Sequence, residues 1–168
     1  MDIEGGVTMN AIDRGGTTNY GITIDVLSDY LGRAATTDDV RNLKPADARA
    51  IYRKVFWDEP KLELLNHLPS LQLALFDFGV NSGPAGAMRV LQNILNVKAD
   101  GELGPKTLAA INKVKSQKQL VIQFVRERRI LMSRICQRDK NQTAFLTGWI
   151  DRTHAVDDAM IAIGLPLS

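Results

Sequence analysis

Two carboxylates near the start of the chain, Glu4 and Asp13, lie nine residues apart, and a pair of glycines follows each of them. Hydrolysis of a glycosidic bond needs a carboxylic acid that can give a proton to the leaving oxygen near neutral pH. Burial and the C-terminal end of a helix dipole both raise the pKa of a glutamate, and a following glycine is typical of such a helix end. A second carboxylate can activate water, act as the nucleophile or support a cationic sugar transition state. On the residues alone, an exposed terminal Glu4 and a simple turn residue at Asp13 remain alternative interpretations.

Polar residues that follow Asp13 are candidates for binding a sugar. The sequence "RGGTTNYG" predicts a turn-dominated loop or a small hairpin between residues 8 and 23. In it, Thr18 is a candidate for placing a water molecule, and Tyr20 offers a ring for stacking on sugar and a hydroxyl for hydrogen bonding. Asn81 and Ser82, at the end of an apolar segment, are candidates either for lining a sugar groove or for capping a turn.

Helical periodicity dominates the rest of the chain, and strand signals are few, so we predict a mainly α protein with a small β wing near the N-terminus. The segment after Pro69 is apolar nearly all round, which is typical of a helix in the centre of a domain. Asp77 lies in that segment, where a buried carboxylate needs a partner, and a structural role is favoured over catalysis. The predicted helices cover residues 24–31, 44–58, 69–82, 85–96, 106–112, 117–140 and 142–163.

The composition argues for a globular protein and against a membrane protein, a metalloprotein or an enzyme that uses a covalent cysteine. The 168 residues are 45% apolar and 24% charged, as expected of a globular chain with a real core. No apolar run approaches the ~18 residues that a membrane span needs, and no signal peptide is visible. Cys136 is the only cysteine, and His67 and His154 lie far apart, so we predict no metal, no cofactor and no covalent cysteine chemistry.

The charges are unevenly distributed. Residues 106–140 carry ten basic and two acidic side chains, a net of +8, whereas residues 1–77 carry eight basic and twelve acidic ones, a net of −4. This suits a protein that contacts a polyanion with one half and performs acid chemistry with the other, although a solvated basic helix is the alternative. Nucleic acid is not the expected partner, because the one aromatic residue of the basic helix, Phe124, belongs to its apolar side.

The order of the motifs resembles a known family. "EGG", "DRGGTTNYGIT", "AIYRKVFWD" and "LFDFGVNSGPAGA" resemble the muramidases of glycoside hydrolase family 108, and "LQNILNVKADGELGPKT" resembles their small peptidoglycan-binding module. The resemblance covers about residues 4 to 150. It implies a lysozyme-like helical fold, with a catalytic region at 1–86 and a helical peptidoglycan-binding region at 87–168 packed against it. It places Glu4 on the family's catalytic glutamate and Asp13 on the acidic residue of its D-x-G-G-x-T segment.

The resemblance also implies a function. Members of the family are phage and prophage endolysins and related autolysins that cleave the bond between N-acetylmuramic acid and N-acetylglucosamine. The expected partner is therefore the glycan strand of peptidoglycan, with a holin or a secretion apparatus for release. We expect a protein made in the cytoplasm that acts in the periplasm or cell wall, with the basic residues of 106–140 against the anionic wall or a membrane.

The chain departs from the family pattern near Glu4. Family members carry a helix before the catalytic glutamate and an aromatic residue three positions after it, whereas here three residues precede Glu4 and Val7 follows. The expectation is that upstream residues or a neighbouring chain supply the support that the preceding helix gives to the glutamate in the family. The alternative is a catalytically impaired peptidoglycan-binding or secretion-accessory protein that lacks the N-terminal helix.

Overall fold

The computed structural model describes the backbone of residues 7–9 and, with side chains except that of Cys136, residues 17–138. Glu4, Asp13 and the helix predicted at 142–163 lie outside the described residues. The chain divides into two compact units, the first ending at Asp58 and the second beginning at Glu59.

The first unit contains the β wing. Strands β1 (Val7–Met9), β2 (Thr17–Asn19) and β3 (Ile22–Thr23) form an antiparallel sheet in the order β1-β2-β3. Tyr20 and Gly21 connect β2 to β3 with φ angles of 54° and 75°. Two consecutive positive φ angles in a two-residue loop define a type I′ turn, whose twist matches that of paired strands. The small hairpin predicted between residues 8 and 23 is thereby confirmed.

Three helices complete the first unit. Helix α1 (Ile24–Leu31) ends at Gly32 in the left-handed conformation, with a φ of 65°. Helix α2 (Thr37–Arg41) is short and was not predicted. Helix α3 (Pro45–Arg53) has proline in its first turn, as predicted, and continues as a π-helical segment at Lys54–Asp58. The core between these elements consists of Ile22, Leu27, Val40, Ala48 and Ile51.

The second unit is helical throughout its described part. A 3-10 helix at Leu62–Leu65 precedes α4 (Pro69–Ser82), α5 (Pro84–Ile94), α6 (Pro105–Lys113) and α7 (Gln117–Arg138). Helices α4, α5 and α6 all begin with proline, which has no N–H to leave unsatisfied at that position. Helix α4 packs against both α5 and α7, as its apolar sequence predicted.

These elements confirm the predicted mainly α fold with a small β sheet near the N-terminus. Nowhere in the described chain is a helix both long and apolar enough to cross a membrane.

Candidate active site

Paired strands of the first unit follow Glu4 and stand on both sides of Asp13 along the chain. Val7 pairs with Asn19 and Met9 with Thr17, so residues 10–16, which include Asp13, connect two paired strands. Glu4 stands three residues before β1. Both carboxylates lie outside the described residues, and their catalytic roles stay predictions.

Thr18 occupies the centre of the sheet. It pairs with Thr8 on one side and with Thr23 on the other. Successive side chains of a strand point to opposite faces, so Thr18 lies on the face opposite to Asn19 and is half-buried. The strands on both sides restrain its position, and its predicted role in substrate binding stays a prediction.

Asn19 anchors the hairpin to α2. Its side chain is 5% exposed. Its Nδ2 donates to the carbonyl oxygens of Val40 at 3.0 Å, Arg41 at 3.2 Å and Leu43 at 3.5 Å. The last carbonyls of a helix have no partner within the helix. The Val40 carbonyl also accepts from the Leu43 amide at 3.3 Å, so Asn19 adds a second donor there and supplies a donor to the carbonyls of Arg41 and Leu43. Sequence reasoning missed Asn19, because its neighbours "TT" and "YG" indicate a turn rather than a buried strand position.

The turn at Tyr20 and Gly21, between β2 and β3, is held by Tyr52 of α3. The Tyr52 hydroxyl donates to the carbonyl oxygen of Tyr20 at 3.1 Å. A Cβ on Gly21 would lie 2.7 Å from the same hydroxyl, so the close approach and the positive φ angle both require glycine. Tyr20 itself is half-buried against the core of the first unit. Its backbone is therefore fixed, while its predicted contact with sugar stays a prediction.

Asn81 and Ser82 lie at the end of α4 in the second unit, and both are exposed. Asn81 Nδ2 donates to the carbonyl oxygen of Asp77 one helical turn earlier, at 3.1 Å. A single residue, Gly83 with a φ of 77°, separates this helix end from Pro84 at the start of α5. The sharp turn presents both side chains at one corner, and their predicted role in sugar binding stays a prediction.

Asp77 has the partner that its burial required. It is 6% exposed, and its Oδ2 lies 2.5 Å from Nη2 of Arg128, which is 1% exposed. The Arg128 guanidinium also lies 5.4 Å from the centre of the Phe78 ring. This partner is a cation on α7. Asp77 therefore joins α4 to α7.

This pairing corrects one part of the charge analysis. Arg128 was counted with the basic residues of 106–140 that face the wall, but it is buried in the second unit. The sequence did hold the signal, because Val121, Phe124, Arg128 and Met132 follow one another at intervals of three and four residues. Such spacing places Arg128 on the apolar side of α7.

The turn "DGELGPKT" is built around Gln92 of α5, which is completely buried. Gln92 Nε2 donates to Asp100 Oδ1 at 2.7 Å and to the Thr107 hydroxyl at 3.1 Å, and its Oε1 accepts from the Gly101 amide at 2.8 Å. The hydrogen bond from Gln92, followed by that from the Glu102 amide, lowers the pKa of Asp100. The structural role predicted for this turn is confirmed.

No group of three His, Cys, Asp or Glu side chains within residues 17–138 is placed to hold a metal ion.

Comparison with known proteins decides the family. Residues 1–83 match the family model described as Glycosyl hydrolase 108, and residues 86–154 match a predicted peptidoglycan domain. The solved structure of SagA from Brucella abortus is 31% identical, with a TM-score of 0.82 over 95% of this chain and 87% of that chain. The chain belongs to the glycosyl hydrolase 108 family. No curated protein matches it.

As a glycosyl hydrolase 108 protein with a peptidoglycan domain, the chain is a glycoside hydrolase and its partner is peptidoglycan. The hydrolase match ends at the turn between α4 and α5, so Asp77 belongs to the hydrolase match and Arg128 to the peptidoglycan domain. Their ion pair therefore joins the two matched segments within the second compact unit. The division predicted at residues 86 and 87 stays a prediction.

Proposed function

We propose that this protein is an N-acetylmuramidase that hydrolyses the bond between N-acetylmuramic acid and N-acetylglucosamine in peptidoglycan. The observation that carries the proposal is the hairpin of the first unit, which lies inside the glycosyl hydrolase match. Glu4 precedes its first strand and Asp13 lies between its paired strands. Along the chain, one candidate carboxylate thus precedes β1 and the other follows it.

In this mechanism Glu4 is the general acid. It gives its proton to the glycosidic oxygen as the bond to the anomeric carbon breaks, and an oxocarbenium-like state develops on the sugar. Asp13 either stabilises that positive charge or takes a proton from the attacking water. The water oxygen becomes the hydroxyl of a new reducing end, so each cleavage creates one reducing sugar.

Four further side chains serve the substrate in this proposal. Thr18 on the central strand places the water, and Tyr20 at the turn stacks on a sugar ring. Asn81 and Ser82 hydrogen-bond to the glycan from the exposed corner after α4. The anchors at Asn19 and Tyr52 act through the backbone of the hairpin and need not contact the substrate.

Release of reducing ends from purified Gram-negative peptidoglycan by the full chain tests this proposal. We expect Glu4→Gln to lower the rate by about 10²–10⁴-fold, the range for loss of a general acid. Glu63→Gln, at an exposed position of the 3-10 helix, is the matched control and should keep full activity. Reduction of the products with borohydride, followed by mass spectrometry, should yield reduced N-acetylmuramic acid.

Other outcomes would redirect the proposal. Cleavage unchanged in Glu4→Gln would remove Glu4 from the mechanism, and reduced N-acetylglucosamine in the products would indicate a glucosaminidase. Wall binding without release of reducing ends in any variant would favour a peptidoglycan-binding or secretion-accessory protein.

The biological setting follows as a further part of the proposal. An endolysin of a prophage is made in the cytoplasm and reaches the periplasm or wall through a holin or a secretion apparatus. Expression in a bacterium with and without a co-expressed holin tests this route. Lysis that requires both the holin and Glu4 would support it, and lysis without a holin would exclude that dependence.

A further inference from the structure

A groove in the second unit runs between α5, the C-terminal end of α6 and α7. It consists of two adjoining cavities of about 410 and 350 Å³, and Ile94 and Gln123 line both of them. The lining residues that lie in the described part of the chain all belong to the match with the peptidoglycan domain. We call it the α5–α7 groove, defined by Ile94, Lys113, Lys115, Gln123, Glu127 and Arg134.

The charges of the α5–α7 groove have a pattern. Lys113 and Lys115 line one cavity, whereas Glu127 and Arg134 line the other. Within residues 17–138 none of these three cations forms an ion pair. The two cationic ends suit carboxylates, and the carboxylate of Glu127 between them suits an amine. A uniform polyanion, such as a nucleic acid, would place one of its negative charges beside Glu127, and that contact is unfavourable.

The dimensions and the remaining walls suit a short extended peptide. Gln119 and Arg134 are fifteen residues apart on α7, which corresponds to about 22 Å along the helix. A fully extended four-residue peptide spans at most about 14 Å. Ile94 and Leu95 offer apolar surface for methyl groups, and Gln123 offers an amide for the peptide backbone.

We propose that the α5–α7 groove binds the peptide stem of peptidoglycan. Its carboxylates would bind Lys113 and Lys115, its free amino group Glu127, and its alanine methyl groups the aliphatic wall. The proposal rests on the proposed function, which makes peptidoglycan the substrate. It assigns the peptide stem to the α5–α7 groove and leaves the glycan strand to the hairpin.

Nuclear magnetic resonance titration of the full chain carrying Glu4→Gln, which binds without cleaving in the proposed mechanism, tests this assignment with three probes. These are a disaccharide-tetrapeptide, the same compound with its free amine acetylated, and peptide-free glycan prepared with an amidase. We expect the disaccharide-tetrapeptide to shift the amide signals of groove residues saturably. Peptide-free glycan should leave those signals in place.

Charge reversal then identifies the contacts. Lys113→Glu combined with Lys115→Glu should weaken binding of the disaccharide-tetrapeptide by about tenfold or more. Lys106→Glu, an exposed position on α6 that does not line the groove, should leave it unchanged. Glu127→Gln should weaken binding of the free amine form and leave that of the acetylated form unchanged.

Three results would overturn the inference: equal binding by the charge-reversed and control variants, equal shifts with peptide-free glycan, or displacement of the stem by double-stranded DNA. The proposed function is read separately from release of reducing ends on peptide-free glycan by the chain with Glu4 intact. If that release occurs and the stem does not bind the groove, only the inference fails. If the stem binds and no reducing ends appear on either peptide-free glycan or intact peptidoglycan, only the proposed function fails.

Discussion

The two compact units use buried polar side chains in different ways. In the first, the neutral amide of Asn19 donates to backbone carbonyls, and the Tyr52 hydroxyl does the same at the turn of the hairpin. In the second, Asp77 and Arg128 bring two opposite charges together between helices. The first unit thus fixes the path of its backbone, whereas the second, besides the turn that Gln92 holds, fixes the pairing of two helices with a buried ion pair.

The difference predicts how each unit responds to substitution. A carbonyl that loses its side-chain donor can be rehydrated if water reaches it, so the loss is moderate. A buried charge that loses its partner keeps the full cost of its removal from water. The second unit should therefore be more sensitive to loss of one partner, and more easily rescued by loss of both.

The largest effect should come from Arg128→Met. This change leaves the Asp77 carboxylate buried without its cation and should lower the free energy of unfolding by about 3–5 kcal/mol. Urea denaturation at neutral pH measures the loss. Arg126→Met, an exposed position on the same helix, should change stability by less than about 0.5 kcal/mol.

The rescue variant makes the comparison sharper. Arg128→Met together with Asp77→Leu replaces the ion pair by apolar side chains of similar size and should recover most of the lost stability. A double variant as unstable as the single one would show that Arg128 acts through packing on Phe78 rather than through its charge.

Gln92→Ala should have the next largest effect. It tests whether a neutral buried amide contributes as much to the free energy of unfolding as the ion pair does. It removes the donors and the acceptor around which the 100–107 turn is built and leaves a cavity, so we expect a loss of about 2–3 kcal/mol. Because the hydrogen bond from Gln92 is the main cause of the low pKa of Asp100, that pKa should rise. Carboxyl chemical shifts followed against pH measure the pKa of Asp100, and Asn93→Ala is the control. An unchanged pKa of Asp100 in Gln92→Ala would contradict the role assigned to the Gln92 hydrogen bond.

Much of this architecture could be predicted from local sequence. The prolines at 45, 69 and 84 mark helix starts, and the apolar run of α4 predicts a central helix. The hairpin could be predicted because the turn preferences of glycine, asparagine and threonine depend only on residues close to them in sequence. Helix α2 was missed because five residues with one buried side chain, Val40, are too few to show helical periodicity.

Contacts between distant residues could not be predicted. Asn19 meets the carbonyl of Val40 across 21 residues, and no local pattern specifies that pairing. Arg128 was assigned to the surface because its charge was considered and its spacing was not. For the candidate site, the sequence identified the residue types and the hairpin that bears Thr18 and Tyr20. The hydrogen-bond partners that hold this hairpin could be identified only once the fold was known.

Asn19→Ala tests the moderate sensitivity expected of the first unit. It removes the side-chain donor from the carbonyls of Arg41 and Leu43 and one donor from that of Val40, and should cost about 1–3 kcal/mol. Asn19→Asp has the same shape but cannot donate, so it should be at least as destabilising. Hydrogen exchange should show loss of protection in α2 and the hairpin and little change in α7. A larger loss than that of Arg128→Met would reverse the order of the two units.

A smaller effect is expected at the turn of the hairpin. Gly21→Ala forces a side chain into a positive φ angle and against the Tyr52 hydroxyl, at a cost of about 1–2 kcal/mol. Tyr52→Phe removes one hydrogen bond, at about 1 kcal/mol. The double variant lacks the hydroxyl that the new methyl group would meet, so its loss should be less than the sum of the two. Strict additivity in denaturation experiments would show that backbone strain alone requires Gly21.

The smallest effect should come from the exposed ion pair at the start of α2, where charge acts at the surface of the first unit. Arg33, and after it the amide and hydroxyl of Thr36, hold the pKa of Asp39 well below its usual range. A lowered pKa stabilises the fold above the ordinary carboxyl pKa of about 3.9 and ceases to do so as the pH falls towards the folded value. Asp39→Asn should therefore be less stable than the parent protein at pH 7, with the difference shrinking below about pH 4. Urea denaturation at pH 7 and pH 3 measures it, and a difference that does not change with pH would assign the role of Asp39 to its cap geometry rather than to its charge.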